Sequence, residues 1–180
     1  MLRWGVVVRR TMPGTTVRCY WKITSRQDVF RVASAWVKEP GTIAWIRDEV
    51  RQGDVVWDIG ANIGIYTVPL GHKVRGVGGR VVAVEPNLVN TVSLLTNLLL
   101  NDLGEVVSVV AEPMADSSSF GEMFMRSAHL QSGRSGVQFS HVGTMGSPSD
   151  TERRGVTRHV RAVSADDLCA AVGSPPHIVK

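Results

Sequence analysis

The sequence predicts an α/β fold in which helices cover a doubly wound, mostly parallel sheet. Three short apolar runs between residues 55 and 111 alternate with segments of helical periodicity, and such runs form strands that are buried on both faces. A glycine-bearing turn follows the first run, and an acidic residue ends the second. Strands separated by helices pair in parallel, so the order of the elements indicates a sheet built from βαβ units.

Before this region, the pattern predicts a hairpin and two helices. The first strand is apolar, the second alternates apolar and polar residues, and a Pro-Gly pair lies between them, whereas the two helices repeat apolar residues at helical spacing. The predicted ranges are 5–8 and 17–23 for the strands and 29–37 and 42–51 for the helices. We interpret residues 1–38 as an N-terminal hairpin and helix extension, and residues 39–180 as the main domain.

The central βαβ unit begins after Gly53. A strand at residues 55–57 ends at Asp58, a helix is expected from Ile63 to Val74, and a glycine-rich return leads to a second strand at residues 81–84. A leucine-rich helix at residues 89–100 and a third strand at residues 106–111 follow. This succession continues the parallel sheet.

The C-terminal third is less regular. Residues 117–158 are rich in Ser, Gly, Met, His and Arg, which predicts a loop-rich segment with one hairpin formed by residues 120–125 and 137–142. A strand at residues 158–163, a helix that Ser164 opens as its N-cap, and a strand start at residues 177–180 complete the chain. Because further strands of such a sheet are expected after Lys180, we interpret the main domain as incomplete at its C-terminus.

Composition excludes several classes of protein. With 43% apolar and 20% charged residues the chain is typical of a soluble globular domain. The net charge of +4 comes from scattered arginines, which argues against a nucleic-acid partner. Cys19 and Cys169 lie too far apart in sequence for a paired or zinc-binding spacing, so a reducing cytoplasm is expected. The five histidines show no metal spacing, and no apolar run is long enough to span a membrane.

The segment Asp58-Ile-Gly-Ala-Asn-Ile-Gly64 is the strongest functional signal, because it lies where a strand ends and a helix is expected to begin. Glycine permits positive φ and close approach of a ligand, and free N–H groups at a helix start favour an anionic group such as a carboxylate. A dinucleotide fingerprint would need glycine at positions 62 and 65, where Asn62 and Ile65 stand, and a Walker A loop is absent from the sequence.

The motif resembles the first motif of class I S-adenosylmethionine-dependent methyltransferases, which have a Rossmann-like fold. With Asn62 in place of the middle glycine, and with Tyr66-Thr67 after the motif, the segment is similar to the FkbM family in particular. The resemblance extends through Gly79–Asn87 and covers roughly residues 39–116, and it is weaker after residue 163.

The resemblance implies a site for S-adenosylmethionine. Gly60, Ala61 and Asn62 would line its methionine part, above Asp58, and the carboxylate of Glu85 would accept hydrogen bonds from both ribose hydroxyls. The remaining candidates are Gly64, Tyr66 and Thr67 beside the turn, Pro86 and Asn87 at the adenine, and Glu112 at the adenine amino group. Each also has a purely structural reading, as a tight-turn glycine, a helix cap or a solvated acid.

The implied reaction is O-methylation of a hydroxyl on a small molecule, a sugar or a natural product. No catalytic residue is assigned, because the substrate-bordering strand end is expected beyond Lys180, and neither the exact substrate nor the oligomeric state is predicted. Two alternatives remain open: a non-catalytic module that binds S-adenosylmethionine, and a nucleotide-dependent oxidoreductase.

Overall fold

The computed structural model describes residues 5–76, 78–126, 132–134, 138–141 and 155–180. Its strands are β1 Val6–Thr11, β2 Arg18–Ile23, β3 Val55–Ile59, β4 Arg80–Val84, β5 Val107–Val110, β6 Phe120–Arg126, β7 Gln138–His141, β8 Gly155–Arg161 and β9 Ile178–Val179. Its helices are α1 Arg26–Lys38, α2 Pro40–Asp48, α3 Thr67–Val74, α4 Leu88–Leu100 and α5 Ala165–Val172.

The main sheet has four parallel strands in the order β5-β4-β3-β9. Alternate residues along β3 and β4 point to opposite faces, as strand geometry requires. Val56, Val81 and Ala83 belong to the large core that also contains residues of α3 and α4. Trp57 and Val82 pack on the other face with Leu168 of α5. Both faces are therefore covered by helices, which confirms the predicted α/β class with a doubly wound parallel sheet.

The N-terminal hairpin shares its core with the main sheet. Strands β1 and β2 pair in antiparallel fashion, and Trp21 of β2 is buried in the same cluster as Ile63 and Leu94. Helix α4 also bonds to the backbone of β2: Asn97 Oδ1 accepts from the Lys22 N–H at 2.8 Å. These contacts join the N-terminal hairpin to α4, the helix that follows Glu85.

The helix after the motif begins later than the sequence predicts. We expected it from Ile63, but α3 begins at Thr67, and residues 62–66 form turns. Asn62 has φ 54° and Gly64 has φ 86°, both in the left-handed region, and a right-handed helix cannot continue through such residues.

The hairpin that the sequence predicted from residues 120–125 and 137–142 is confirmed, and a third strand near the predicted range 158–163 joins it. Strands β7, β6 and β8 form an antiparallel sheet in that order, and β6 and β8 pair from Phe120–Arg161 to Arg126–Gly155. Met123 and Met125 supply the buried face of β6, which lies within one residue of its predicted range. Much of residues 127–154 lies outside the described residues.

Candidate functional site

The motif forms a turn at the carboxyl ends of β3 and β4. Gly60 has φ 79°, which a side chain would disfavour, and a Cβ added there would meet no atom within 4 Å. Space is therefore open beside Gly60. Gly64 differs, because its Cβ would lie 2.7 Å from Cδ1 of Leu94, so this glycine allows α4 to pack closely against the turn.

Asp58 is buried beneath this turn. Its Oδ2 accepts a hydrogen bond from the Thr67 hydroxyl at 2.6 Å, and its Oδ1 lies 3.6 Å from the ammonium of Lys180. Burial raises the pKa of Asp58, and the Lys180 charge and the Thr67 hydrogen bond oppose that shift. Among the described residues Oδ1 has no closer hydrogen-bond donor, so the Lys180 ammonium is its polar partner there.

Glu85 follows β4 and connects the two strand ends. Its Oε2 accepts from the Asn62 N–H and its Oε1 from the Asn87 N–H, each at 2.8 Å. Only 5% of its surface is exposed, and this burial raises its pKa. Several groups lower the pKa of Glu85 and so oppose the effect of burial. From largest to smallest, they are the hydrogen bonds from the two backbone N–H groups, the Asn90 side chain and the charge of Arg31. A carboxylate oxygen has two lone pairs, so hydrogen bonds to a ligand diol are compatible with these backbone bonds.

The backbone amides of the turn are already paired. The N–H groups of Gly60 and Ala61 both donate to the Val84 carbonyl, at 2.8 and 3.0 Å, and that of Gly64 donates to the Ala61 carbonyl. The Ile63 N–H donates to Asn62 Oδ1. Our expectation that free amides at this point would receive a carboxylate is therefore wrong, because the helix does not start there and these amides already donate to acceptors within the turn, to the Val84 carbonyl and to Glu85.

The other predicted residues lie around Asp58 and Glu85 and differ in how far they are buried. Asn87 is buried and caps α4 by accepting from the Val89 N–H, and Pro86 beside it is half-buried. The Tyr66 hydroxyl donates to the Ala35 carbonyl, while the Lys180 ammonium lies 4.4 Å from the centre of the Tyr66 ring. Glu112 lies exposed beyond β5, where its charge acts on Arg158.

The structure adds groups that the sequence did not single out. The amide Nδ2 atoms of Asn62 and Asn90 both donate to the Arg134 carbonyl, at 3.1 and 2.6 Å. The guanidinium of Arg31 donates to the Gly133 carbonyl, and it interacts electrostatically with the Glu85 carboxylate. Arg31 and Asn90 lie on ordinary amphipathic helices, and residues 133 and 134 are distant in sequence, so no motif could have indicated them.

Comparison with known proteins decides the family. The model of the methyltransferase FkbM domain matches residues 58–180, which is more than half of the chain. The chain belongs to the FkbM methyltransferase family. S-adenosylmethionine is the cofactor of this family, as the resemblance implied. A search among curated proteins found no match.

Several solved structures are similar to this FkbM chain. TYW2 of M. jannaschii in complex with AdoMet shows 21% identity over 58% of this chain and 42% of that one, with a TM-score of 0.37. A SAM-dependent O-methyltransferase from Thermotoga maritima shows 17% identity over 63% and 46%, with a TM-score of 0.38. The T. thermophilus 16S rRNA N2 G1207 methyltransferase in complex with AdoMet and guanosine shows 18% identity over 63% and 28%, with a TM-score of 0.36. The FkbM chain thus spans less than half of the length of each.

The residues of the site fit this cofactor chemically. Glu85 presents a carboxylate for a diol, and the space beside Gly60 is open. Over the same residues, no cluster of three or more His, Cys, Asp or Glu side chains could hold a metal ion. No helix in the described ranges is long and apolar enough to cross a membrane.

Proposed function

We propose that this FkbM chain provides the cofactor half of an S-adenosylmethionine-dependent O-methyltransferase that acts on a hydroxyl group of a small molecule, a sugar or a natural product. The observation that carries the proposal is the carboxylate of Glu85, held by the amides of Asn62 and Asn87 at the open turn. A fixed carboxylate at the end of this strand suits the two hydroxyls of a ribose. The small-molecule acceptor is what the family resemblance implies.

Each predicted site residue has a part in this proposal. Glu85 holds the ribose, Gly60 and Ala61 let the ligand approach the backbone, and Asn62 fixes the turn. The buried pair of Asp58 and Thr67 supports the turn from below, Gly64 sets the distance to α4, and Tyr66 borders the methionine side. The adenine is expected against Pro86 and Asn87, with Glu112 at its amino group.

When bound, the cofactor supplies a methyl group to the acceptor oxygen, while the electron pair of the broken carbon–sulfur bond stays on sulfur and the hydroxyl proton passes to a base. The protein contributes alignment, because the rigid turn and Glu85 hold the ligand in one orientation. We assign no catalytic base to the described residues. We further propose a cytoplasmic location, since Cys19 and Cys169 are both free thiols.

A methyl-transfer assay tests the proposal. The chain is incubated with methyl-labelled S-adenosylmethionine and a panel of sugars, phenols and alcohols, with unfractionated RNA as a parallel acceptor. We expect label in a small molecule through an alkali-stable ether linkage, and its loss in Glu85→Ala. Label in RNA would replace the proposed substrate class, an alkali-labile ester would contradict O-methylation of a hydroxyl, and cofactor binding without transfer to any acceptor would favour the non-catalytic module.

A further inference from the structure

The predicted cofactor residues supply no positive charge, although the amino-acid end of S-adenosylmethionine carries a carboxylate. Three of them, Asp58, Glu85 and Glu112, are acids, and the others are neutral. The amides of residues 60–64 donate to acceptors inside the protein. Because a charge that leaves water needs a partner, a cation from another part of the chain would suit this carboxylate.

A cavity of about 110 Å³ lies between α1 and the glycine-bearing turn. Ile65 and Tyr66 line it from the turn, and Arg31, Lys38 and Glu39 line it from α1 and its C-terminal end. The volume is below the roughly 300–1,000 Å³ of sites that enclose a whole ligand, so the cavity fits one end of the cofactor. Its opposite charges match a group that carries both a carboxylate and an ammonium.

Arg31 is the best placed cation at this cavity. It is half-buried, and burial lowers its pKa, while the charge of Glu85 is the largest opposing effect. Its guanidinium donates to the Gly133 carbonyl, next to the Arg134 carbonyl that the Asn62 side chain contacts, so it lies at the edge of the glycine-bearing turn. Of the two other cations near the turn, the Lys180 ammonium is 3.6 Å from the Asp58 carboxyl, and Lys38 is exposed.

We propose that this cavity binds the amino-acid end of S-adenosylmethionine and that the guanidinium of Arg31 pairs with the cofactor carboxylate. A guanidinium has the planar donor geometry that matches a carboxylate in two hydrogen bonds. Glu39 places a negative charge in the same cavity, which suits the neighbouring ammonium. This inference rests on the proposed function, because it assumes that the cofactor binds beside the glycine-bearing turn.

Calorimetric titration with two ligands tests the inference. S-adenosylhomocysteine carries the amino-acid end, whereas 5′-methylthioadenosine has the same adenine, ribose and thioether without it. We expect Arg31→Ala to weaken binding of S-adenosylhomocysteine by about 10- to 100-fold, the range for a hydrogen bond to a charged group. Binding of 5′-methylthioadenosine should stay within about twofold, and this also shows that the variant remains folded.

Two further variants complete the test. Arg31→Lys keeps the charge without the planar geometry and should give an intermediate loss for S-adenosylhomocysteine. Arg26→Ala removes an exposed charge from the same helix outside the cavity and should leave both ligands unchanged. Equal losses for both ligands in Arg31→Ala, or no loss for either, would overturn the role of Arg31 while leaving the proposed function intact. Failure of the unaltered chain to bind either ligand would overturn both.

Discussion

Asp58 shows how a single residue of the motif serves the fold and the site together. Its carboxyl is almost completely buried and depends on one short hydrogen bond from Thr67 and on the more distant Lys180 ammonium. Burying a carboxyl group without its partners is costly, so we expect loss of either Thr67 or Lys180 to destabilise the turn above Asp58.

Replacement of Thr67 by valine should expose this dependence. The change keeps the shape of the side chain but removes the donor, and we expect a loss of about 1–3 kcal/mol in the free energy of unfolding. Thr96→Val is the matched control, because the Thr96 hydroxyl donates to the Val92 carbonyl of its own helix, and its effect should be within about 0.5 kcal/mol. Urea denaturation of both variants measures the difference. Equal effects would show that Asp58 does not depend on Thr67.

Glu85 should make cofactor affinity sensitive to pH. Burial raises its pKa above the ordinary value of 4.5, and a protonated carboxyl offers fewer acceptors to the ribose hydroxyls. Affinity for S-adenosylhomocysteine should therefore fall as the pH is lowered through this raised pKa, at a higher pH than an ordinary glutamate would give. The contribution of Glu85 to the stability of the ligand-free protein should instead increase as the pH is lowered, because the folded state holds the proton more tightly than the unfolded state. Stability from this group therefore decreases as the pH rises from 4.5 toward the raised pKa.

Titrations across this pH range, with Glu85→Gln as the control, measure the first effect. The variant should bind more weakly and with little pH dependence in that range. An affinity of the unaltered chain that does not change until the pH reaches the ordinary glutamate value would contradict the assignment.

Helix α4 is the element that holds the site together. Leu94 packs against Gly64, Asn97 bonds to both Ile63 and Lys22, and Asn90 reaches the Arg134 carbonyl. The helix therefore connects the turn to the N-terminal hairpin and to the segment at residues 132–134. Its buried asparagines are satisfied by backbone groups from three parts of the chain, so its position is specified closely.

Gly64→Ala should disturb this packing. Alanine at φ 86° is strained, and its Cβ would lie 2.7 Å from the buried Leu94 side chain, so we expect a loss of roughly 2–4 kcal/mol in the free energy of unfolding. Gly104→Ala is the control, because no atom lies within 4 Å of its added Cβ and its φ is not positive. Thermal unfolding of the two variants makes the comparison. A Gly64→Ala protein as stable as the control would show that the turn and α4 are not closely packed.

Elements with strong periodicity could be predicted from the sequence, and the exceptions have physical causes. The buried strands β3, β4 and β5 and the leucine-rich α4 lie within a few residues of their predicted ranges. Apolar runs of these lengths and spacings are compatible with few other secondary structures. The start of α3 was wrong because Asn62 adopts positive φ, which local sequence does not reveal. At the site, the motif indicated Glu85 and the glycines, but Arg31 approaches through tertiary packing and leaves no signal in local spacing.

At the scale of the whole molecule, one hydrophobic core unites the N-terminal extension with the parallel sheet. Trp21 of the hairpin contacts Trp36 of α1 edge-on, with 6.0 Å between ring centroids, and its indole N–H donates to the Gly64 carbonyl at 3.3 Å. A residue of the extension thus bonds directly to the turn of the site. Shared burial of this kind favours a single cooperative unfolding transition.

Trp21→Ala should therefore destabilise the whole chain. Loss of this 1% exposed side chain should cost about 3–5 kcal/mol, whereas Val7→Ala, at a half-exposed position of β1, should cost less than about 1 kcal/mol. In the unaltered chain, circular dichroism and tryptophan fluorescence should follow one coincident transition. Two separated transitions would show that the extension and the main domain fold independently.

The central claim is that the turn and Glu85 form a site for S-adenosylmethionine, and calorimetric titration with S-adenosylhomocysteine tests it most directly. We predict micromolar binding to the folded chain, no binding of NAD, and a loss of about tenfold or more in Glu85→Ala. A demonstrably folded chain that binds NAD but not S-adenosylhomocysteine, or whose affinity does not change in Glu85→Ala, would contradict the account.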